Sequence, residues 1–363
     1  RRSALEDGIN RSEPFTQPAP GPSWTNDERI DPRIRAAFAA VSRATTIRDY
    51  SSREEVLAEE NSEEGQARAR LAEEWFDRTY SDEIAPMDGL TAQTLSFRSH
   101  PDGNTIKVWF VRPDTNERLA CVYYIHGGGM RTHSCFDGVY MAWARLVAAQ
   151  GVAVAMVDFR NCVRPSSAAE VAPYPAGLND CASGLRWLRT QADTLNIDKD
   201  RVVIAGDSGG GNLALATGMK LQKEGAIGLI AGLYALCPFI EGHWPQPHLP
   251  SSIENNGIFL NLHSNLSQMA YGIEAFQNRD PLAWPGFATK EDVRDFPRTM
   301  ISVNECDPLR DEGISFYRLL LKAGVAARCR QVMGTIHATE IFSAWCPDIS
   351  RDTASSLANF ARG

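Results

Sequence analysis

Ser208 stands in Gly206-Asp207-Ser208-Gly209-Gly210, between an apolar run at 201–205 and a helical pattern at 212–222. Glycines on both sides of a serine at a strand-to-helix junction predict a tight turn that lifts the hydroxyl clear of its neighbours, as a nucleophile needs. A lone G-x-S-x-G is common by chance. It gains weight from His126-Gly127-Gly128-Gly129, which follows another apolar run at 120–125 and offers glycine N–H groups to a developing oxyanion.

A serine that attacks a carbonyl also needs a base and an acid that orients the base. His337, in Gly334-Thr335-Ile336-His337, is the only histidine after residue 292 and follows the strand-like run at 327–332. For the acid, the segment 304–311 reads N-E-C-D-P-L-R-D and offers Glu305, Asp307 and Asp311. Asp307 is preferred, because Pro308 holds the residue before it extended, whereas Asp311 is placed to cap a helix at 312–323. Glu305 is the competitor. The oxyanion donors are expected to be the N–H groups of Gly127, Gly128 and Gly209.

These residues need a scaffold. Residues 33–41 and 54–80 carry helical spacing, the second with Leu57, Leu71, Trp75 and Phe76 on one face. Residues 1–30 read as a surface arm with Pro14, Pro18, Pro20 and Pro22, anchored by Trp24. From about residue 95, strands at 105–111, 120–125, 152–158, 201–205 and 227–236 alternate with helices at 139–149, 177–195 and 212–222. That is α/β winding. The alternation breaks at 242–292, a stretch rich in proline and aromatics that reads as an inserted lid, and resumes with strands at 298–304 and 327–332. The expected division is 1–90 arm and cap helices, 91–241 and 293–363 core, and 242–292 cap.

The chain has 363 residues, 43% of them hydrophobic and 23% charged, ordinary for a globular protein with a large core. Its longest apolar stretches are too short to span a bilayer. The formal charge of −8 argues against nucleic acid and anionic lipid as partners, and suits a neutral substrate. Eight scattered cysteines without a C-x-x-C pair read as free thiols. With an N-terminus, Arg1-Arg2-Ser3, that lacks an apolar signal region, they make the cytoplasm the expected location. No phosphate-binding glycine fingerprint and no zinc spacing around His243 and His248 is present, so neither cofactor nor metal is expected.

The segments 126–130 (HGGGM), 156–161 (MVDFRN), 206–213 (GDSGGGNL), 280–285 (DPLAWP) and 304–314 (NECDPLRDEGI) resemble the hormone-sensitive-lipase family of α/β-hydrolases, from about residue 95 to the end. The resemblance implies an α/β-hydrolase fold: a mostly parallel central sheet flanked by helices, with a helical cap built from the N-terminal segment and the insertion. It also places the triad acid at Asp307. Two positions depart from the family. Gly209 stands where the family usually has Ala, which keeps the donor and removes only a methyl group. Ala338 follows His337 where the family commonly has Gly, so the backbone there is expected to differ.

The resulting expectation is a serine carboxylesterase with Ser208, Asp307 and His337 as its triad, acting on neutral short-chain or secondary-metabolite esters or lactones. The alternative is an altered member that acts as a lyase or a ligand-binding receptor. Met130, Trp244, Phe259 and Trp284 are the expected substrate-pocket residues. His133 is expected on an exposed loop, and Asp180 and Asp207 as structural hydrogen-bonding groups. The expected partner is a small-molecule ester, with the chain a monomer or homodimer.

Overall fold

The computed structural model describes residues 15–16, 23–39 and 46–363; the four arm prolines and Val41 lie outside them. Strands β1 (Phe15–Thr16) and β2 (Thr46–Ile47) pair antiparallel. Helix α1 (Pro32–Phe38) starts on a proline, with the Asp31 carboxylate accepting from the Arg33 N–H. Trp24 is buried edge-on against Phe38.

The single helix expected at 54–80 is two, α2 (Arg53–Glu60) and α3 (Glu63–Phe76). Ser62 divides them: its hydroxyl donates to the Glu59 carbonyl and accepts from the Gly65 N–H, so one side chain closes α2 and caps α3. Leu71 does not join the apolar face; it is 66% exposed, while Trp75 and Phe76 pack against the core.

The main sheet contains β3 (Leu90–Arg98), β4 (Thr105–Pro113), β5 (Leu119–Ile125), β6 (Ala153–Val157), β7 (Ile197–Asp207), β8 (Gly232–Leu236), β9 (Thr299–Asn304) and β10 (Ala327–Val332). Their order is β10-β9-β8-β7-β5-β6-β4-β3, with β3 and β4 antiparallel to their neighbours and the rest parallel. Every residue of β5, β6 and β8 is buried, as continuous apolar runs in a sheet covered on both faces require. Residues 227–229 are a 3-10 turn rather than strand.

Helices α4 (Gly138–Ala148), α5 (Ala176–Thr190), α6 (Ala192–Leu195) and α7 (Gly209–Lys223) follow the strands in winding order. Short helices α8 (Ser251–Glu254), α9 (Leu266–Tyr271), α10 (Ile273–Gln277) and α11 (Lys290–Val293) fill the interruption, before α12 (Arg310–Lys322) and α13 (Pro347–Arg362). One core packs α5 and α7 on the sheet, through Leu185 and Leu213; the other packs α4 and α13, through Trp143 and Leu357. Asn265, at the start of α9, exchanges two side-chain hydrogen bonds with the backbone of Tyr50, at 2.7 and 2.8 Å. The N-terminal segment and the interruption are thereby tied to each other.

Candidate active site

The chemistry collects where the parallel strands end, at the carboxyl edge of the sheet, where strand-to-helix loops meet. Ser208 follows the last residue of β7 and precedes α7, with φ 55° and ψ −118°, a conformation that side chains rarely adopt. Its N–H bonds to the Leu236 carbonyl at 2.9 Å, and its carbonyl accepts from Phe239 at 3.1 Å and Asn212 at 3.0 Å. The flanking glycines are forced: a Cβ on Gly206 would sit 2.3 Å from the Gly210 carbonyl oxygen, and one on Gly210 would sit 1.9 Å from that of Ile125.

His337 Nε2 lies 2.9 Å from Ser208 Oγ, and its Nδ1 lies 2.7 Å from Asp307 Oδ2. The other carboxylate oxygen accepts from the Leu309 N–H at 2.8 Å. Asp307 follows β9 and His337 follows β10, so adjacent strands bring both side chains to Ser208. Burial pulls the imidazole's proton affinity down, but the charge and hydrogen bond of Asp307 outweigh it and hold His337 above its usual 6.5. Such a pair can take the serine proton and stabilise the imidazolium that forms.

The competing acids are occupied elsewhere. Glu305 accepts from the Gly334 N–H at 2.7 Å. Asp311 lies inside the first turn of α12 and accepts from Ser251 rather than capping that helix. The departure at residue 338 has a visible consequence, since Ala338 adopts a left-handed φ of 58° that glycine takes without strain.

The donors require one correction. The Gly127 N–H is already given to the Tyr140 hydroxyl at 2.9 Å, and that hydroxyl donates to Asp207 at 2.9 Å. Gly127 therefore supports the loop instead of facing a substrate. Among the described residues, the N–H groups of Gly128, Gly129 and Gly209 have no partner. Gly129 was not among the expected donors, because only the reach of Tyr140, thirteen residues beyond Gly127, decides which glycine N–H groups stay free. His126 is fully buried, stacked on Phe159, with Nδ1 2.7 Å from the Gly127 carbonyl oxygen. Its Nε2 faces Asp158 at 3.6 Å, an electrostatic contact too long for a hydrogen bond.

Met130, 2% exposed, follows the free donors and accepts from the Cys162 N–H. The ring of Phe259 lies 6.4 Å from that of His337. Trp244 and Trp284 sit deeper, in one cluster with Phe239, and the Trp244 indole donates to Glu312 at 2.7 Å. Glu312 also accepts from the N–H groups of Ile240 and Glu241. Sequence gave no signal for it, nor for Glu340, whose buried carboxylate holds Asn304 at the end of β9. His133 is half-buried rather than exposed, bonded to Asp137 and edge-on to Phe76 in a cleft of about 610 Å³ beside the glycine loop. Asp180 is buried on Ser99 and Arg160, and Asp207 on Tyr124 and Tyr140. The one group of metal-ligand type among the described residues is Cys237, Asp307 and His337, within 4.8 Å of one another, two of which form the hydrogen-bonded pair.

Residues 122–341 match the family described as alpha/beta hydrolase fold. The structure of esterase Est22 with p-nitrophenol is similar, with 58% identity, a TM-score of 0.90, and 93% of this chain and 99% of that one covered. Brefeldin A esterase, a bacterial homologue of human hormone-sensitive lipase, is 33% identical with a TM-score of 0.84, over 94% of this chain and 95% of its own. An ethyl acetate hydrolase of Pseudomonas putida is 30% identical, over 65% of this chain and 72% of its own.

Proposed function

Since this chain belongs to the alpha/beta hydrolase fold family, on its hormone-sensitive-lipase-like side, we propose that Ser208, His337 and Asp307 carry out its ester hydrolysis. The protein is a carboxylesterase. Ser208 Oγ attacks the ester carbonyl while His337 Nε2 takes its proton, and Asp307 fixes the ring and balances its charge. The carbonyl oxygen, now anionic, accepts from Gly128, Gly129 and Gly209. The histidine returns the proton to the leaving alcohol, and water repeats the cycle on the acyl-enzyme. The observation that carries this reading is the unbroken line from Asp307 through His337 to Ser208, beside three unspent N–H groups.

Small, short-chain esters are the proposed substrates, which the name of the ethyl acetate hydrolase supports, with Met130 and Phe259 as the pocket wall nearest the triad. The proposed cap combines 1–90 with 242–292 over a core of 91–241 and 293–363, supported by the Asn265 link. A cytoplasmic location is supported by eight unpaired cysteines, and the proposed state is monomer or homodimer, with the free edge of β10 as the surface between copies. No helix among the described residues is long and apolar enough to cross a membrane.

The test is hydrolysis of p-nitrophenyl esters from acetyl to long acyl chains, wild type beside Ser208→Ala at matched folded concentration. Wild type is expected to turn over the short esters, and the variant to lose at least about a thousandfold in kcat. Retained hydrolysis in the variant would remove Ser208 from the chemistry. Inactivity of both would favour the lyase or receptor alternative.

A further inference from the structure

Arg131 lies two residues beyond Gly129, on the segment that carries two of the free donors. Its N–H bonds to the Gly128 carbonyl at 3.0 Å, and its carbonyl accepts from Arg164 at 2.8 Å, so its backbone is fixed. The side chain folds back over Gly129: a Cβ on that glycine would lie 3.0 Å from the arginine Nε and 3.4 Å from Nη2. Gly129 itself presses on the residue after the nucleophile, because a Cβ on Gly209 would lie 2.8 Å from the Gly129 nitrogen and Cα. The guanidinium thus stands one residue's thickness from the turn that holds Ser208.

Among the described residues nothing accepts a hydrogen bond from this guanidinium, and its Nε is shut off from solvent without a partner. The chain's buried arginines are treated differently. Arg112 donates to the carbonyls of Leu195, Asn196, Thr115 and Glu117; Arg145 to Ala85 and Asp82; Arg160 to Asp180 and Asp102. The acid beside Arg131 is spent. Glu60, the carboxylate whose charge acts on Arg131, is held by Arg164 at 2.6 Å. A guanidinium stays charged across the pH range of proteins, and here the residue is partly exposed with only Nε closed off, so the outer nitrogens of the fork are open to an acceptor. An acceptor from outside the chain supplies the partner that the chain itself does not.

We infer that Arg131 binds a carboxylate on the acyl part of the substrate, which makes monoesters of dicarboxylic acids the substrate class. The inference rests on the ester-hydrolase reading. The acyl side follows from the segment's order: Gly128 and Gly129 hold the acyl carbonyl oxygen, and the same strand of backbone continues to Arg131. The planar fork accepts both carboxylate oxygens, and contact pairing of that kind outweighs the long-range field of a −8 chain, which salt screens beyond about 8 Å. The neutral substrate that net charge suggests is thus overruled locally.

The experiment compares monoethyl esters of straight-chain diacids, from succinate to suberate, with the matching diethyl esters, followed by pH-stat at low and moderate salt. Wild type, Arg131→Lys and Arg131→Leu are assayed. At one chain length wild type is expected to prefer the monoester by about tenfold in kcat/KM, with Arg131→Leu lowering that ratio about thirtyfold, chiefly through KM, and Arg131→Lys falling between. The inference is overturned if wild type cleaves diesters yet prefers no monoester, or if both ester types slow equally in the variants. Wild-type inactivity on the diesters as well would instead sink the ester-hydrolase reading. Should Arg131→Leu not fold, the wild-type ratio and the lysine variant still decide.

Discussion

At position 209 a single methyl group would meet the Met130 nitrogen at 2.6 Å and the Gly129 nitrogen and Cα at 2.8 Å. All three are backbone atoms of the donor loop, so no side chain can swing aside to make room. The glycine here is therefore not interchangeable with the alanine usual in the family, as counting donors alone suggests. It lets the loop close onto the helix end. Gly209→Ala is expected to push the loop outward and lower kcat by about tenfold to a hundredfold, with a smaller change in KM and an unchanged far-UV spectrum. A kcat within twofold of wild type would show that the loop yields without moving its donors. That Ser208, His337 and Asp307 come together was legible because motif, chain order and strand ends each leave few candidates. The donor set was not, since Tyr140 claims Gly127 across space, and Arg131 was not, since an arginine's lack of partners has no sequence signature.

Between elements, Glu312 on α12 holds the segment that leaves β8 by accepting from the N–H groups of Ile240 and Glu241 at 2.7 and 2.9 Å and the Trp244 indole at 2.7 Å. Phe239, just before these residues, donates to the Ser208 carbonyl, so the same brace reaches the nucleophile's turn. Glu312→Ala leaves three donors, two of them buried, without an acceptor and is expected to cost about 3 kcal/mol, read as a lower urea midpoint at constant m, with reduced kcat. Glu312→Gln keeps one oxygen for the backbone but turns an NH₂ toward the indole or the amides, so it should fall between. A midpoint unchanged in Glu312→Ala would mean that water replaces the carboxylate. Parallel strands such as β5 and β6 were legible as unbroken apolar runs. The first half of β3 was not: it is an antiparallel edge strand with six of its nine residues exposed, so its pattern carries little hydrophobic signal. The break between α2 and α3 was written in Ser62, which can cap one helix while closing another.

For the whole molecule, the buried titratable groups set stability and activity against each other as pH rises. Asp207, Glu241, Glu312 and Glu340 are all held above their ordinary carboxylate values, with burial the largest cause. His126 and His337 are pulled down by burial but raised further by Asp158 and Asp307, ending above 6.5. All six hold protons in the native state at pH values where the unfolded chain has released them. Native protons in excess make stability fall with rising pH, by about 1.4 kcal/mol per unit for each one retained. Asp31 and Asp158 act oppositely: held below 3.8, they contribute stability that is lost only as pH falls through the acid range. Melting temperature is therefore expected to peak at about pH 5–6 and to decline toward pH 8. Turnover runs the other way, because His337 must be neutral to accept the serine proton, so kcat/KM should rise with pH through a midpoint above 6.5. Melts from pH 4 to 9 at fixed ionic strength, paired with kcat/KM over the same range, test both limbs, and Glu312→Gln should flatten the melting curve by about one proton. A melting maximum at or above pH 8 would mean that the buried carboxyls ionise in place without cost, and an acid limb centred below 6.5 would mean that Asp307 does not hold the proton on His337.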